Sequence, residues 1–437
     1  MKSLWSDKNE LPGFPELEGA ISADVLIIGG GMAGILTAYI LKEAGVRAVL
    51  LEGERICSGV TKNTTAKITS QHGLIYADLV KRFGVEKASM YLRANEAAVR
   101  KYFEIGEKVG CPIERKTNYI YSRTDTVRLL DEVNALKKIG YTALAVKEVE
   151  LPFAVSGAVG FRDQGQFDPL EFASKIAPGL EIYENSFVKK LRGQTAYTDK
   201  GCVSAKAVII ATHFPFINRH GSYFLKMYQE RSYVAAYTGA GDLDGMYLDA
   251  DNDGFSFRNH GEYLLIGGGN HRTGKEGDAW KGIEKTAGRY FRMANLKYRW
   301  ATEDCMTLDK VPYIGRYSAL TDRTYVATGF NKWGMTSSMV AAGILTDMIT
   351  GKKNDCARVF SPSRSIMRPQ LAVNAFEALT GIVNFKTRRC PHLGCALEYN
   401  RAEHTWDCPC HGSRFTVSGR LIDNPAMKGL NVRANNR

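Results

Sequence analysis

A glycine-rich turn near the N-terminus constrains the fold of this chain more than any other feature. The sequence predicts a short apolar strand at residues 24–28 (DVLII), which the motif GGGMAG follows, and then a helix at residues 32–44. Strands that are apolar on both faces are typical of parallel sheets covered by helices on both sides. The order of strand, G-x-G-x-x-G turn and helix therefore predicts one βαβ unit of an α/β fold.

The residues of this turn have the character of a dinucleotide site. Gly29 permits the tight turn, Gly31 lets the backbone approach a pyrophosphate, and Gly34 lets the helix pack closely against the strand. The helix begins at Met32 and Ala33, and its positive N-terminus would hold the pyrophosphate. The same turn serves FAD and NAD, so the fingerprint alone leaves both cofactors open.

The next predicted strand supplies the acid that such a site needs. Glu52 ends the strand predicted at residues 47–52, where its carboxylate can accept hydrogen bonds from both ribose hydroxyls and would repel a 2′-phosphate. Glycine-rich strand ends recur near Ala211 and Gly329. This recurrence, together with a fingerprint so close to the N-terminus, favours FAD, which would be held along its whole length.

Two short boxes near the C-terminus each contain cysteine and histidine. The first reads C-P-H-L-G-C and begins at Cys390, and the second reads C-P-C-H-G-S and begins at Cys408. Clustered cysteines with interleaved histidines in a long chain indicate metal binding rather than a secreted disulfide framework. A zinc site with two cysteine and two histidine ligands is one alternative, although zinc fingers usually pair cysteine with cysteine and histidine with histidine.

These boxes, C-x-H and C-x-x-H, strongly resemble those of Rieske proteins. The resemblance implies a [2Fe–2S] cluster with thiolates on one iron and imidazoles on the other, which raises the potential relative to clusters held by four thiolates. The implied metal ligands are Cys390, His392, Cys408 and His411. The second cysteines of the boxes, Cys395 and Cys410, correspond to a pair that forms a disulfide in respiratory Rieske proteins.

Three further positions near the boxes bear on this resemblance. Ser413 is expected to hydrogen-bond a cluster sulfide, and such bonds raise the potential. Phe415 lies where high-potential members carry tyrosine, so we predict a potential below that of the respiratory type. Residues 424–426 (NPA) resemble the proline loop that shields the cluster.

Residues 22–350 resemble the FAD-dependent oxidoreductases of the D-amino-acid oxidase and glycine oxidase type. The matching stretches are DVLIIGGGMAGILTAYIL, LLEGERICSGVTKNTTAKIT, AKAVIIATHFP, VPYIGRY and YVATGFNKWGMTSSMVAAGILTDMI. The resemblance implies contacts with the isoalloxazine ring and ribityl chain from TTAK and from the last stretch, and with the adenine end from residues near 188 and 211. The implied flavin contacts are Thr64, Thr65, Ala66, Lys67, Val188, Ala211, Thr212, Gly329, Gly334, Met335 and Thr336.

One position departs from this family. Amino-acid oxidases of this type place an arginine ahead of the P-x-I-G motif to hold the substrate carboxylate, whereas this sequence has Asp304 there, beside Glu303. An acidic pair cannot bind a carboxylate, so we hypothesise a substrate that carries a cationic amine, although solvent-facing positions for the pair stay open. The catalytic candidates are Lys67, Asp304 and Arg258. Further pocket candidates are Arg231, His213, His260 and His271.

The charge balance bears on partners and location. The formal net charge is +12, which fits a solvated basic surface or a docking face for an acidic electron-transfer protein. No motif accompanies the charge that would indicate nucleic-acid binding. No apolar run suits a membrane span, and the N-terminus does not resemble a signal peptide, so we predict a cytoplasmic location.

Together these features predict an α/β protein. It has a Rossmann-like FAD-binding domain with an inserted antiparallel-sheet substrate domain, plus a small C-terminal all-β Rieske domain. The predicted boundaries are residues 1–110, 150–215 and 300–355 for the FAD-binding domain, 111–149 and 216–299 for the substrate domain, 356–372 for a linker, and 373–437 for the Rieske domain.

The predicted function combines the two modules. A small-molecule substrate, such as an amine, is oxidised at FAD, and the [2Fe–2S] cluster exchanges the electrons with an outside partner. The sequence does not fix the direction of electron flow. A redox sensor or electron carrier without substrate turnover is the alternative function.

Overall fold

The computed structural model of this 437-residue chain describes residues 2–217, 220–251, 254–383 and 388–431. Residues 432–437, which end the predicted Rieske domain, lie outside the described residues. The described strands form three sheets of eight, nine and four strands. Within the same ranges, no helix is both long and apolar enough to cross a membrane.

The helices and strands account for most of the described backbone. The helices are α1 (Leu4–Lys8), α2 (Met32–Glu43), α3 (Tyr76–Val109), α4 (Thr126–Lys138), α5 (Pro169–Ile176), α6 (Tyr223–Lys226), α7 (Lys281–Tyr290), α8 (Gly334–Thr350), α9 (Ala357–Phe360) and α10 (Pro369–Val383), with a 3-10 turn at Val60–Asn63. The strands are β1 (Gly19–Ile28), β2 (Ala48–Leu51), β3 (Lys67–Ile68), β4 (Glu114–Ser122), β5 (Leu144–Val146), β6 (Gly157–Gln166), β7 (Glu181–Tyr183), β8 (Lys190–Arg192), β9 (Thr195–Tyr197), β10 (Gly201–Ile210), β11 (Met227–Thr238), β12 (Met246–Asp249), β13 (Ser256–His260), β14 (Tyr263–Arg272), β15 (Asn295–Thr307), β16 (Tyr313–Arg316), β17 (Thr324–Thr328), β18 (Glu398–Asn400), β19 (Thr405–Asp407), β20 (Arg414–Thr416) and β21 (Leu421–Asp423).

The eight-stranded sheet contains the predicted βαβ unit. Its central strands run parallel in the order β17-β10-β1-β2-β7, and β16 adds an antiparallel edge. Helices α2 and α8 pack together on one face, where Ile27, Leu36 and Leu345 share an apolar cluster. Because parallel strands end at the same edge, the turns that follow β1, β10 and β17 lie side by side. The Rossmann-like part of the predicted fold is confirmed.

The nine-stranded sheet forms a wall with two different faces. Its main order is β15-β11-β14-β13-β12-β4-β6-β3, and all of these pairings are antiparallel except that of β12 with β4. Val234, Ala236 and Leu265 belong to the apolar cluster shared with the eight-stranded sheet. Neighbouring Tyr233 and Ala235 point to the opposite face and belong to a separate cluster, in keeping with the alternation of side chains along a strand.

The C-terminal region is a small antiparallel sheet preceded by a helix. Strands β18 to β21 pair in sequence order, which confirms the predicted all-β character of this part. The sequence predicts a linker at residues 356–372, whereas the structure has α9 and the start of α10 there. Pro369 suggested a break in the chain, but proline is also favoured in the first turn of a helix, and α10 begins at this residue.

The division into domains stays a prediction, and three strands do not belong to the sheet that their predicted domain would imply. β3, β6 and most of β15 fall in segments assigned to the FAD-binding domain or at their edges, yet all three belong to the nine-stranded sheet. The partners of these strands are distant in sequence, so no local pattern indicates which sheet they join.

Candidate flavin and iron–sulfur sites

The glycine-rich turn between β1 and α2 is packed against the end of β10. Gly29 has a φ of +112°, and a Cβ atom there would lie 2.5 Å from the Ala211 carbonyl oxygen. A Cβ atom on Gly34 would lie 1.9 Å from the Gly29 carbonyl oxygen. At Gly31 a Cβ atom would meet only the Thr61 hydroxyl, at 3.5 Å, and this hydroxyl accepts a hydrogen bond from the Met32 N–H at 3.1 Å. The backbone therefore leaves room for an anionic group at the start of the helix.

Glu52 lies against this turn, as the fingerprint predicts. Its Oε2 atom accepts a hydrogen bond from the Gly30 backbone N–H at 2.7 Å, and its Oε1 atom accepts one from the Glu54 N–H at 2.9 Å. Burial raises the pKa of this carboxyl above its ordinary value. A carboxylate is thus held at the edge of the space in front of α2, where a ribose would lie.

Three side chains fix the loop that contains the predicted isoalloxazine contacts. The Asn63 carbonyl accepts a hydrogen bond from Trp300 Nε1 at 2.8 Å, and the Thr64 carbonyl accepts one from Trp5 Nε1 at 2.7 Å. Arg258 Nη1 donates to the carbonyl of Ala66 at 2.7 Å. No motif predicts a role for Trp5, and its signal in the sequence is an apolar Leu-Trp pair in an otherwise polar N-terminal segment.

Arg258 and Lys67 bring positive charge to this loop. Arg258 is 1% exposed, and its Nε and Nη2 atoms have no hydrogen-bond partner among the described residues. Burial lowers its pKa to about 9. Burial, and then the charge of Arg258, lowers the pKa of Lys67 to about 7, and its Nζ atom donates to the Tyr247 carbonyl at 3.0 Å. An unpaired buried guanidinium is costly unless an anion or polar group of a ligand lies against it.

The remaining predicted flavin contacts lie along the edge of the sheet and the start of α8. A Cβ atom on Gly334 would meet nothing within 4 Å, whereas one on Gly329 would lie 2.3 Å from the Thr307 methyl group. The hydroxyl of Thr336 donates to the Thr69 carbonyl at 3.0 Å and lies 3.0 Å from His72 Nε2. The other predicted contacts that are buried are Ala66, Val188, Ala211 and Met335.

The acidic pair in β15 does not form one site. Adjacent residues of a strand point to opposite faces, so Glu303 and Asp304 are separated by the sheet itself. Glu303 is buried, and its Oε1 atom accepts a hydrogen bond from the Thr273 hydroxyl at 2.7 Å. Asp304 accepts one from the Ser232 hydroxyl at 3.0 Å and lies 3.5 Å from Lys332 Nζ. The two carboxylates therefore do not face one pocket together, and a substrate that carries a cationic amine stays a prediction.

The catalytic candidates also fall into two groups. Lys67 and Arg258 lie together, whereas Asp304 is on β15, separated from β13 by β11 and β14. At about 4.8 Å per strand, roughly 14 Å of sheet therefore lies between β15 and the strand that carries Arg258.

The other pocket candidates divide in the same way. The ring of His260 packs edge-on against Trp5 on the side of the predicted flavin loop, with ring centroids 4.8 Å apart. His213, Arg231 and His271 lie on the side of the C-terminal sheet instead. Their partners there include Gln229 for His213, Glu403 for Arg231 and Tyr233 for His271.

The two cysteine–histidine boxes form a pair of similar loops. In the first, the Gly394 N–H donates to the Cys390 carbonyl at 2.9 Å, and in the second, the Gly412 N–H donates to the Cys408 carbonyl at 2.8 Å. Both glycines have a positive φ, of 79° and 85°. The glycine four residues after each cysteine thus closes the same turn twice, although histidine is the third residue of one box and the fourth of the other.

The side chains that the Rieske resemblance implies meet between these loops. The rings of His392 and His411 are 5.0 Å apart between centroids and nearly perpendicular. Cys390 and Cys408 are both buried. The pKa of the Cys390 thiol is lowered, chiefly by a hydrogen bond from Cys408. The structure joins the two remaining box cysteines, Cys395 and Cys410, in a disulfide, with Cα atoms 6.6 Å apart.

The residues around the boxes complete a buried pocket. The Ser413 hydroxyl accepts the Ala426 N–H at 2.9 Å, and this side chain is also among the groups that lower the pKa of the Cys390 thiol. Phe415 is fully buried where the resemblance has tyrosine in high-potential members. His411 is 4% exposed, and its Nδ1 atom makes no hydrogen bond to any residue that the structure describes. Burial lowers its pKa to about 3, which keeps the imidazole in the neutral form that binds metals.

His411 also faces the larger module directly. Its ring lies edge-on to those of Phe214 and Phe224, with centroids 6.4 and 6.2 Å away. Gln229 on β11 donates to the His411 carbonyl at 2.9 Å and to the Asn424 carbonyl at 3.0 Å. The Asn424 amide in turn donates to the carbonyls that follow β10. The predicted proline loop therefore joins the metal pocket to the edge of the eight-stranded sheet.

A buried ionic network holds the C-terminal sheet against β11. Arg231 Nε donates to Glu403 at 3.0 Å, and Arg414 pairs with Glu403, Asp407 and Asp423 at 2.8, 3.1 and 3.0 Å. Although burial acts to raise it, the charges of Arg231 and Arg414 hold the pKa of Glu403 at about 2. Since buried ion pairs need good geometry, this network fixes the orientation of the C-terminal sheet.

Comparison with known families agrees with this geometry. The family model described as FAD dependent oxidoreductase matches residues 24–348. The chain belongs to the FAD-dependent oxidoreductase family. A second family model, the Rieske [2Fe-2S] domain, matches residues 366–433 of this FAD-dependent oxidoreductase.

Known proteins also share both the sequence and the fold of this FAD-dependent oxidoreductase. YhfW of Bacillus subtilis (strain 168), described as a Rieske 2Fe-2S iron-sulfur protein, is 32% identical over 98% of this chain and 97% of its own length. Gamma-glutamylputrescine oxidoreductase of Escherichia coli (strain K12) is 23% identical over 78% of this chain and 87% of its own length. The structure of glycine oxidase from Geobacillus kaustophilus superposes with a TM-score of 0.66 at 20% identity, covering 79% of this chain and 99% of that one.

The residues present suit the cofactors of both families. A bound dinucleotide would fill the open space in front of α2, which has Glu52 at its edge. A substrate of the enzyme would supply partners for the two Arg258 nitrogens that make no hydrogen bond to the described residues. The pocket of two cysteines and two histidines, with its unbonded His411 nitrogen, suits a Rieske cluster, and the disulfide removes the other two thiols from metal binding. FAD and a [2Fe–2S] cluster are the cofactors of this FAD-dependent oxidoreductase, as predicted.

Proposed function

We propose that this FAD-dependent oxidoreductase oxidises a small amine at the flavin and passes the electrons through its Rieske cluster to an outside partner. The observation that carries the proposal is the buried contact of His411 with Phe214, Phe224 and Gln229. A cluster ligand that faces the flavin module, rather than solvent, suits exchange of electrons between the two centres. When bound, FAD takes two electrons from a substrate, and a [2Fe–2S] cluster carries one at a time.

A short path through the protein supports this exchange. Asn331, in the turn before α8, donates its N–H to the Cys305 carbonyl at 2.9 Å. Cys305 is paired in register with Gln229 on the next strand, and Gln229 donates to the His411 carbonyl. One strand pair and two hydrogen bonds therefore link the turn before the predicted isoalloxazine contacts with the cluster.

The pocket residues suit a substrate that carries a carboxylate beside its amine. Two Arg258 nitrogens have no hydrogen-bond partner among the described residues, so this guanidinium would bind and orient an anionic group. With a pKa of about 7, Lys67 can take up the amine proton at its Nζ atom near neutral pH. Trp5 is fully buried and holds the loop through its hydrogen bond to the Thr64 carbonyl. The names of two similar proteins, an oxidoreductase of gamma-glutamylputrescine and a glycine oxidase, also indicate amine substrates.

The carboxylate is tested by substituting Arg258. A panel of small amines, each with and without a carboxylate, is assayed anaerobically for flavin reduction with the wild type and with Arg258→Lys and Arg258→Met. We expect Arg258→Met to raise KM for the carboxylate-bearing amines at least tenfold and to leave the others unchanged, with Arg258→Lys intermediate. An equal effect on both kinds of amine would contradict a carboxylate site.

Electron exchange is tested by following both centres after mixing with the amine that reduces the flavin. We expect the Rieske EPR signal to appear after flavin bleaching, and Gln229→Leu to slow that second step while leaving flavin reduction unchanged. Tyr228→Phe, one residue away on the same strand, is the control. If the flavin is reduced while the cluster stays oxidised, electron exchange is wrong. If no amine on the panel reduces the flavin, the alternative of a redox sensor without turnover is favoured.

The positive charge of the chain bears on the choice of outside partner. An acidic electron-transfer protein was predicted from the positive charge, but Arg364 pairs with Asp309, and Arg414 is buried in the ionic network. These cations are therefore not available to a partner. The cytoplasmic location stays a prediction.

A further inference from the structure

Helix α10 packs its polar side against the protein. Asn374 is 4% exposed, and its side-chain oxygen accepts a hydrogen bond from Arg272 Nη1 at 3.1 Å. Glu377 pairs with Lys275 at 2.7 Å. One turn later, Gly381 lies on the cluster loops, where a Cβ atom would be 2.6 Å from Cys410 Sγ. Contacts with both modules therefore fix the rotation of this helix.

The opposite side of α10 is apolar and exposed. We define the apolar face of α10 as Val373, Phe376, Leu379, Ile382 and Val383, whose exposure lies between 48% and 64%. This arrangement is the reverse of an ordinary surface helix, in which the apolar stripe faces the core. A contiguous exposed apolar patch marks a surface that another body covers.

We infer that the apolar face of α10 binds the surface of an anionic lipid bilayer. Glu377 is the sole charged residue in the sequence of α10, and Lys275 neutralises it. Arg368 precedes the helix, with its guanidinium over the Phe83 ring. Arg388, whose guanidinium lies over the Trp406 ring, and Arg389, which donates to the Ile382 carbonyl at 2.9 Å, follow it. Contacts with aromatic rings and carbonyls leave these guanidiniums charged. An apolar helix face bracketed by cations is the pattern of helices that lie in the plane of a membrane surface containing anionic lipids.

Charge favours this occupant over a second copy of the chain, and length decides how the helix would meet a bilayer. The chain has a net charge of +12, so two copies repel each other, whereas an anionic surface attracts each of them. The 15 residues of α10 extend for about 22 Å at 1.5 Å per residue, which is shorter than the ~30 Å hydrocarbon core. The helix is thus long enough to lie on a bilayer but too short to cross it.

Bilayer binding would bring the cluster to the membrane surface. Leu393, in the first cysteine–histidine box, is 42% exposed and follows the ligand His392. α10 lies on the disulfide that joins the two boxes. This inference goes beyond the proposed function and does not depend on amine oxidation or on electron exchange.

The test is co-sedimentation of the purified holoprotein with vesicles. One set contains equimolar phosphatidylglycerol and phosphatidylcholine, and the other contains phosphatidylcholine alone. The variant is Phe376→Gln with Leu379→Gln. The matched control is Met293→Gln with Leu320→Gln, which replaces two apolar side chains that lie outside α10 and are 79% and 82% exposed. All four substituted side chains are exposed, so the proteins should keep both cofactor spectra.

We expect the wild type and the control to bind the anionic vesicles, and the α10 variant to bind at least tenfold more weakly. Binding should be weaker to phosphatidylcholine alone and should fall as salt is added. No binding by the wild type, or equal losses in the variant and the control, would overturn the inference. A dimer in sedimentation velocity that the α10 variant abolishes, without vesicle binding, would also overturn it, because a second copy would then cover the face.

Discussion

The contact between Gly34 and the Gly29 carbonyl leaves no room for a single added carbon atom. Because a Cβ atom would lie 1.9 Å from that oxygen, Gly34→Ala must push α2 away from β1 and distort the turn. We expect this variant to lose at least tenfold in FAD affinity, measured by flavin fluorescence titration of the apoprotein. Gly343→Ala is the control, because a Cβ atom in α8 at that position meets nothing within 4 Å. Equal FAD affinity in the two variants would contradict the packing argument.

The Ser413 hydroxyl is the second residue-scale test. Its side chain is among the groups that lower the pKa of the Cys390 thiol, so it favours a charged sulfur, and a hydrogen bond to a charged group contributes roughly 1.5–3 kcal/mol. For a one-electron couple this corresponds to a potential about 60–130 mV lower in Ser413→Ala. An EPR-monitored redox titration measures the shift, with Ser418→Ala, in the turn after β20, as the control. An unchanged potential in Ser413→Ala would show that this hydroxyl does not act on the cluster.

At the scale of elements, α3 begins under a carboxylate from another helix. Glu132 of α4 is fully buried, and it accepts the N–H groups of Tyr76 and Ala77 at 2.9 and 2.7 Å. Ile75, at the N-cap position, offers no side-chain acceptor, so the cap of α3 comes from 55 residues away. Carboxylates are favoured at this end of a helix, but burial opposes the charged form and raises the pKa of Glu132 to about 7.

The pH dependence of stability follows from that raised pKa. The folded state keeps the proton to about pH 7, whereas the unfolded state releases it near 4.5, so stability falls as pH rises through this window. The change is roughly 3 kcal/mol at most. In Glu132→Gln this position does not titrate, so the variant does not lose this stability as pH rises. The difference in Tm between the variant and the wild type should therefore increase by a few degrees, in favour of the variant, from pH 5 to pH 7.5. Glu107→Gln, an exposed position in α3, should show no such trend; a flat difference for Glu132→Gln would refute the raised pKa.

The elements near the two cofactors differ in how far the sequence reveals them. The glycine turn, Glu52 and the two cysteine–histidine boxes are each encoded in a short run, so motif spacing was enough to predict them. α10 was not predicted, because its polar side faces inward and its periodicity does not match a helix on a core. Glu303 and Asp304 were placed together, although the alternation along β15 separates them.

At the scale of the whole molecule, the modules are joined through residues without a local signal. Arg231 and Glu403 are 172 residues apart, and neither neighbourhood indicates an ion pair. Arg231 is among the sequence-based candidates for the substrate pocket, whereas it contacts the C-terminal region. A sequence does not show which face of a sheet a second module covers. Likewise, no pattern in the sequence indicates a contact between Trp5 and Thr64, which are joined only by the tertiary fold.

Breaking the ionic network should loosen the cluster module. Arg231→Met leaves part of the Glu403 charge buried without its partner, which costs roughly 3–5 kcal/mol, whereas Arg231→Met with Glu403→Met removes both charges and should cost less. The measurement is the temperature at which the Rieske EPR signal is lost, compared with the temperature of flavin release. A double variant that is less stable than the single one would show that the pair itself, rather than the unpaired charge, dominates.

The hydrogen bond from Trp5 to Thr64 has a consequence for the order of folding. The loop that it holds is also held by Arg258 and Trp300, which the ribosome adds long after residue 64. Contacts between such distant segments form late, because closing the long intervening loops is entropically costly. A nascent chain can therefore form β1, α2 and β2 early, yet it can complete the enclosure of its flavin only after most of the nine-stranded sheet has emerged.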